Sequence, residues 1–425
     1  MTKQERINQL LAYFARKIIA KYNPLVIGIT GSVGKTSTRH AIAAALSAKY
    51  NYREPEKNYN NEIGIPLTVI GARGLDEGGS SYLGWLRIFT KALTVWLLPQ
   101  NYPQVLVLEY GIDRPGDMDA YLKIVKPQLA VLTTIGMSHR EFFSSEEEIA
   151  FEKGKMAESL PKNGAFIFNL DDALVTDQTK RTVGHLISFG TDPNAKVSLL
   201  SVEEKLQLQP STTLTIKTST REIKVTVPVI GKAHVSAVLA AVATAEAMEV
   251  ETDLIIKGLS SYRAMPGRLN IIAGIKRSIL IDDTYNAAPL STLEALKLLG
   301  RFPGDNKTAV LGDMLELGDS SDSAHKEVGN FAASLNLKHL ITVGELGKKI
   351  AAAAKESGME ESKIISFNTS EEAKRNVLEM LEPDSVVLVK GSQGARMEKI
   401  TKELLAEPTA AAHFLVRQYG KWLNS

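Results

Sequence analysis

The sequence predicts an α/β protein built from two units, and three observations carry that reading. Short apolar runs closed by turn residues alternate with longer amphipathic stretches, the pattern of a parallel sheet covered on both faces. From Val197 to Val229 the period drops to two residues, as in TLTIKTSTREIKVTVPV, which predicts antiparallel strands appended to that sheet. After SSYRAMPGRLN (Ser260–Asn270), a stretch with Pro and Gly but no period, the strand–helix alternation restarts. The 425 residues leave room for two or three domains, and 44% hydrophobic with 23% charged residues is ordinary globular composition.

Taken in order, the first 24 residues read as one helix, with Ile7, Leu10, Leu11, Phe14 and Ile18 at helical spacing and charges between them. A signal peptide would need an uninterrupted apolar stretch and a small-residue cleavage site; neither is present. LVIGIT (Leu25–Thr30), VLVLEYG (Val105–Gly111), LAVLTT (Leu129–Thr134) and AFIFN (Ala165–Asn169) read as buried strands. Thr36–Lys49, Ser145–Leu160 and the Ala-rich Ser236–Met248 read as helices. The most apolar segment, Leu83–Leu98, is too short to span a bilayer and carries Arg87 and Lys91 four apart. A well-buried surface helix with its cations in water is the expectation there, ahead of a membrane-surface or partner-docking helix. Beyond the linker, SILIDD, TAVLGD, LITVG and SVVLVKG each precede a helical pattern, giving a smaller, Rossmann-like α/β unit. The expected division is a helix over 1–24, a first unit over 25–262 and a second over 268–425.

Composition narrows the function. Fifty Lys and Arg against 48 Asp and Glu give a net charge of +2, which argues against a dedicated nucleic-acid binder. With no Cys, thiolate metal sites, disulfides and a Cys nucleophile are excluded. A cytoplasmic monomer without an integral membrane segment, acting on small molecules, is the default expectation.

The strongest local signal is Gly31-Ser32-Val33-Gly34-Lys35-Thr36-Ser37, directly after the first buried strand and opening a helix. Glycines let successive backbone N–H groups close around phosphate oxygens, and the helix N-terminus adds a favourable dipole. Lys35 is placed to reach β- and γ-phosphates, and the Thr36 hydroxyl to ligate Mg²⁺. Ile29 stands where the usual P-loop pattern has its first Gly, yet Lys35-Thr36 keeps its place, and a P-loop ATPase unit is expected. In such sheets ligands bind beyond the carboxyl ends of the strands. Glu109 ends one strand, His139 follows another and Lys153 lies on the next helix. Each alone is an ordinary rim residue; together they make a candidate carboxylate–His–Lys site. Across the linker, Arg268 and the run Asp282-Asp283-Thr284-Tyr285-Asn286 again close a strand.

Further pieces complete a pattern. They are NYNNEIGIPLT (Asn58–Thr68), LEYG (Leu108–Gly111), SHREFFSSEEEIAFEKGK (Ser138–Lys155), NLDD (Asn169–Asp172) and PGR (Pro266–Arg268). DDTYNAAP (Asp282–Pro289), VLGDMLELG (Val310–Gly318) and VLVKGSQGARME (Val387–Glu398) follow. In this order, over nearly the whole chain, the sequence resembles the Mur ligases, the ATP-dependent amide ligases of cell-wall precursor synthesis.

That resemblance implies an acyl-phosphate mechanism, with ATP phosphorylating a carboxylate and an amine displacing phosphate. It implies that Gly31 to Ser37 hold the nucleotide phosphates and that Arg268, Asp282 and Asn286 add contacts from the second unit. Thr36 and Glu109 would bind one Mg²⁺, and His139 and Lys153 a second, with Lys153 carbamylated. Asn60 and Asn61 would bind substrate. Within the family, the branch adding D-alanyl-D-alanine to a UDP-muramoyl-tripeptide fits best. A folylpolyglutamate- or cyanophycin-like acceptor, or a non-ligating P-loop scaffold, are the alternatives. Several positions depart from the family. GKAHVSAVLAA (Gly231–Ala241) lacks the Asn residues that help hold adenine, and offers His234 or Ser236 instead. Ala288 replaces an Asn, Gln393 stands where Arg is common with Arg396 as its candidate substitute, and His325 reads as a structural histidine. Only 24 residues precede the P-loop strand, whereas the family branch usually carries there a domain gripping the UDP-sugar. Either the first helix and the insertion Ala72–Pro103 do that work, or the carboxylate differs.

Overall fold

The structure, a computed structural model, describes residues 2–55, 59–74, 82–136 and 142–423. Thr2 and Glu5 form a reciprocal capping box that starts α1 (Lys3–Tyr22), and Asn23 in the left-handed region ends it. The core-forming strands are those with unbroken apolar runs. β1 (Leu25–Thr30) pairs in parallel with β3 (Val105–Glu109) on one side and β4 (Leu129–Leu132) on the other. β2 (Tyr52–Arg53) extends the sheet beyond β3, and β5 (Ala165–Asn169) and β6 (His185–Gly190) extend it beyond β4. Next come β7 (Val197–Lys205), β8 (Ser211–Lys217) and β9 (Glu222–Val227), the latter two added antiparallel as their two-residue alternation requires. The sheet order is β2-β3-β1-β4-β5-β6-β7-β8-β9.

Two layers of helix cover it. Ile27 and Ile29 of β1 face α2 (Lys35–Leu46) together with α8 (Lys232–Ala247) and α9 (Thr252–Leu259). Val26 faces the opposite core. There α1, α3 (Gly64–Ile70), α4 (Tyr82–Leu97), α5 (Asp117–Leu122) and α6 (Glu146–Glu158) pack, and α7 (Ala173–Asp177) adds Val175. Helix α8 is Ala-rich and buried along most of its length, starting four residues before its sequence signature. The expected burial of Leu83–Leu98 is corrected by the structure. Only Ile88, Ala92 and Val95 of α4 are buried, and its leucines face outward.

The second sheet has the order β10-β11-β15-β12-β13-β14. Its strands are β10 (Asn270–Ala273), β11 (Ile279–Asp283), β12 (Lys307–Gly312), β13 (His339–Val343), β14 (Ile364–Phe367) and β15 (Val386–Lys390). β10 runs antiparallel to β11, and the rest are parallel. Helices α10 (Pro289–Arg301), α11 (Ser321–Ala333), α12 (Gly347–Glu356), α13 (Ser370–Met380), α14 (Glu398–Leu404) and α15 (Ala411–Phe414) complete the unit. Among the described residues, no helix is long and apolar enough to cross a membrane.

Candidate active site

The order of the first sheet reverses at β1, whose neighbours β3 and β4 leave it in opposite directions, so a crevice opens at their carboxyl ends. The loop from β1 to α2 fills it. Gly31 (φ +149°) and Gly34 (φ +87°) adopt backbone conformations that other residues avoid, and a Cβ at Gly31 would lie 2.0 Å from Thr133 Oγ1. The loop is pinned from β4 and its extension: the Ser32 amide donates to Thr134 O at 2.6 Å, and Thr133 Oγ1 donates to Val33 O at 2.7 Å.

On this loop the two lysines meet. Lys35 Nζ donates to Gly31 O at 2.7 Å, and Lys153 Nζ, from α6, donates to the same oxygen at 3.1 Å. Desolvation lowers the affinity of both amines for a proton; for Lys153 the effect is larger, and the neighbouring Lys35 charge adds to it. Thr36 Oγ1 donates to Glu109 Oε2 at 3.1 Å, joining the first turn of α2 to the end of β3. A hydroxyl beside a buried carboxylate is a hard oxygen pair of the kind Mg²⁺ takes. His139 lies outside the described residues. Among those described, no group of three or more His, Asp or Glu gathers around a possible metal position.

Three further side chains stand beside the expected ones in this site. Arg39, one turn after Thr36 on α2, is buried, bonds Glu54 at 2.7 Å, and holds its Nε 3.7 Å from Glu109. That Nε has no hydrogen-bond partner. Asp113, four residues beyond Glu109, raises the proton affinity of both lysines. Glu152, beside Lys153, accepts from the amides of Gly116 and Met118, both at 3.0 Å, and so ties α6 to the start of α5. A cation one helical turn past Lys35-Thr36, and an acid next to Lys153, were signals available in the sequence.

From the second unit, Arg268 Nη2 reaches Thr36 Oγ1 at 3.5 Å, its guanidinium 4.0 Å from the Tyr285 ring centre. Its buried Nε has no partner. Asn286 is exposed beside Tyr285, and its carbonyl accepts from Lys390 at 2.9 Å. Asp282 is placed differently from the expectation. It is fully buried, accepting from the Gly267 amide and Thr284, both at 2.7 Å, and from Thr401 at 3.3 Å. Burial raises its carboxyl to about 7. In this arrangement Asp282 organises the linker turn that carries Arg268. Its neighbour Asp283 pairs with buried Lys390 at 2.6 Å and accepts the Leu269 amide.

The remaining positions are held by bonds within the chain. Asn61 Oδ1 accepts the amides of Ile63 and Gly64 just ahead of α3, while the carbonyl of Asn60 accepts the Gly111 amide at 2.9 Å. That bond seats Asn60 at the end of β3, near Glu109. His234, offered as an adenine contact, is buried between Tyr262 Oη at 2.7 Å and Arg268 O at 3.1 Å, and desolvation lowers it to about 4. Arg396 is committed to Glu398 at 2.6 Å and to the Trp422 carbonyl at 2.8 Å, so it does not stand in for Gln393. His325 accepts the Met314 amide and bonds Ser321 O, a structural histidine.

Comparison with known proteins identifies the family. Residues 29–76 and 90–245 match the Mur ligase middle domain, and residues 267–393 match the Mur ligase glutamate ligase domain. A UDP-N-acetylmuramoyl-tripeptide–D-alanyl-D-alanine ligase from Bacillus subtilis is 30% identical over 403 residues, 94% of this chain and 79% of its own length. Among solved structures, MurF from Acinetobacter baumannii superposes with a TM-score of 0.76 at 28% identity, covering 94% of this chain and 80% of that one. MurF ligase from Thermotoga maritima in complex with ADP gives 0.76 at 25% identity, covering 93% and 83%. With both domain models matched in order and a relative at this identity covered over most of its length, the chain belongs to the Mur ligase family.

Proposed function

We propose that the protein is an ATP-dependent amide ligase that joins D-alanyl-D-alanine to the terminal carboxylate of a UDP-muramoyl-tripeptide through an acyl phosphate. One observation carries the chemistry. The Thr36–Glu109 pair, two lysines converging on Gly31 O and an unpartnered Arg268 donor meet at one P-loop. The names of the relatives, with ADP in one of them, support the choice of substrates.

In this reading the amides of Gly31 to Ser37 cradle the nucleotide phosphates, and Lys35 turns from Gly31 O to the β- and γ-phosphates. Thr36 and Glu109 hold one Mg²⁺, with His139 and Lys153 at a second. When bound, Mg²⁺ neutralises charge on the phosphates and on the transferring phosphoryl group. An ammonium cannot ligate a hard cation, but the carbamate of Lys153 supplies oxygens; the depressed proton affinity of this buried amine favours the neutral form that takes up CO₂. The substrate carboxylate takes the γ-phosphoryl group, releasing ADP. The incoming amine then attacks the acyl carbon, losing a proton as phosphate leaves. Arg39 orients Glu109, Arg268 brings positive charge from the second unit, and Asn60 with Asn61 lines the substrate side. Asn286 flanks the nucleotide. Closing the two units over the site keeps water from the acyl phosphate. The natural division is then a helix over 1–24, a catalytic unit over 25–262 and a closing unit over 268–425. The ATP requirement supports a cytoplasmic location.

The test is reconstitution with ATP, Mg²⁺, UDP-muramoyl-tripeptide and D-alanyl-D-alanine, following product mass and phosphate. A product heavier by the dipeptide less one water supports the proposal. No amine-dependent phosphate release with any muramyl peptide overturns it.

A further inference from the structure

The two helices that lead into the site from the amino-terminal side form a second, separate surface. On α4, Leu83, Leu86, Leu93 and Leu97 recur at intervals of three, seven and four residues, on the face opposite the buried Ile88, Ala92 and Val95. They are 73%, 51%, 43% and 58% exposed. A helix apolar on both faces normally lies in a core; here one of those faces has no cover within the described chain. The stripe continues onto α1. Trp96 packs edge-on against Tyr13 at 6.2 Å and against Phe14 at 6.1 Å, which brings exposed Leu10 and Tyr13 alongside the leucines.

Charge tells what would cover it. α4 carries Arg87 and Lys91 and no acid, and α1 carries Lys3, Arg6, Arg16, Lys17 and Lys21 against Glu5 alone. In a chain whose cations exceed its acids by two, seven cations facing one carboxylate on two adjacent helices leave everything else net acidic. Arg87 and Lys91 flank one edge of the leucine stripe and α1 lies along the other. Lys91 donates to Gly71 O and Lys21 to the carbonyls of Val95 and Leu98, so these two add charge to the face, while Arg87, Lys3, Arg6, Arg16 and Lys17 are exposed. Apolar side chains between basic edges, without acids, match an anionic bilayer surface: the leucines enter the headgroup–acyl boundary while the exposed basic stems reach lipid phosphates. A second copy of the chain would bring the same positive edges together, which charge does not favour.

We propose that the α1–α4 face is a peripheral docking surface for an anionic lipid bilayer, which holds the protein on a membrane without crossing it. Two of the chain's three tryptophans, Trp85 and Trp96, lie on α4 and report on it directly. The experiment uses the full chain with vesicles of phosphatidylglycerol and phosphatidylcholine, against vesicles of phosphatidylcholine alone. Co-sedimentation with the anionic vesicles and a blue shift of tryptophan emission are expected, both weakened several-fold by raised salt. The double variant Leu86→Glu/Leu93→Glu should lower partition at least tenfold while binding ADP as the unaltered chain does, since both side chains already face solvent. Arg87→Glu should reduce binding to anionic vesicles alone. Equal binding to both vesicle types, or none, overturns the proposal. So does a concentration-dependent dimer, lost in the double variant and seen without vesicle binding, which would assign the face to a second copy. Neither readout depends on ligation, so failure of the docking surface and failure of the proposed reaction are separable.

Discussion

Lys35 and Lys153 both donate to Gly31 O, and burial, with the Lys35 charge added to it, lowers the proton affinity of Lys153. Lys153→Ala should abolish ligation, and short carboxylic acids should restore part of it, because they return the oxygens that a carbamate supplies; unaltered activity would refute this role. A second residue links chemistry to stability. In the folded chain His234 stays neutral down to about pH 4, whereas an unfolded imidazole takes up its proton near 6.5. The unfolded state therefore binds more protons between these values. Stability is full above pH 6.5 and falls as the pH drops toward 4, by roughly 3 kcal/mol from this group. In urea unfolding at pH 7.5 and 4.5, His234→Gln should lose most of that difference; an undiminished acid sensitivity would contradict it. Lys35, Thr36 and Glu109 were legible as site candidates from strand ends and the P-loop signature. The burial of Asp282 and His234 was not, because a carboxylate that ends a strand reads alike whether it faces a ligand or a linker amide.

At the scale of elements, the loop between β1 and α2 depends on a backbone that a side chain cannot enter. Gly31→Ala places its Cβ against Thr133 Oγ1, so the loop must move away from β4. ADP affinity, measured by calorimetry, should fall at least tenfold, with little loss of secondary structure; affinity within twofold of the unaltered chain would count against the loop's role. Strands with continuous apolar runs, such as β1 and β5, were readable to the residue, since burial on both faces confines polar residues to their ends, Thr30 and Asn169. β6 and β14 were not foreseen: His185 and Leu186 of β6 are exposed, and no residue of β14 is fully buried, so their pairing comes from neighbours rather than from pattern. The outward leucines of α4 escaped for a related reason. Helical spacing shows that two apolar faces exist, not which of them the fold covers.

For the whole molecule, Arg268 is one of the residues that join the two units, reaching Thr36 across the linker; the Arg301–Glu204 pair is another. Removing a preorganised donor at a phosphoryl-transfer site costs on the order of 10²-fold in turnover, and Arg268→Ala should show a loss of that size. Unchanged turnover would mean that the second unit contributes no charge to the reaction. The central claim, that this site activates a carboxylate by phosphorylation before amide formation, has a direct measurement. The UDP-muramoyl-tripeptide is labelled with ¹⁸O in its terminal carboxylate and incubated with ATP, Mg²⁺ and D-alanyl-D-alanine, and the released phosphate is analysed by mass. An acyl-phosphate route transfers one carboxylate oxygen to each phosphate, and label should appear there in step with amide product. Phosphate that carries no label, released at the same rate with or without the dipeptide, would contradict the account.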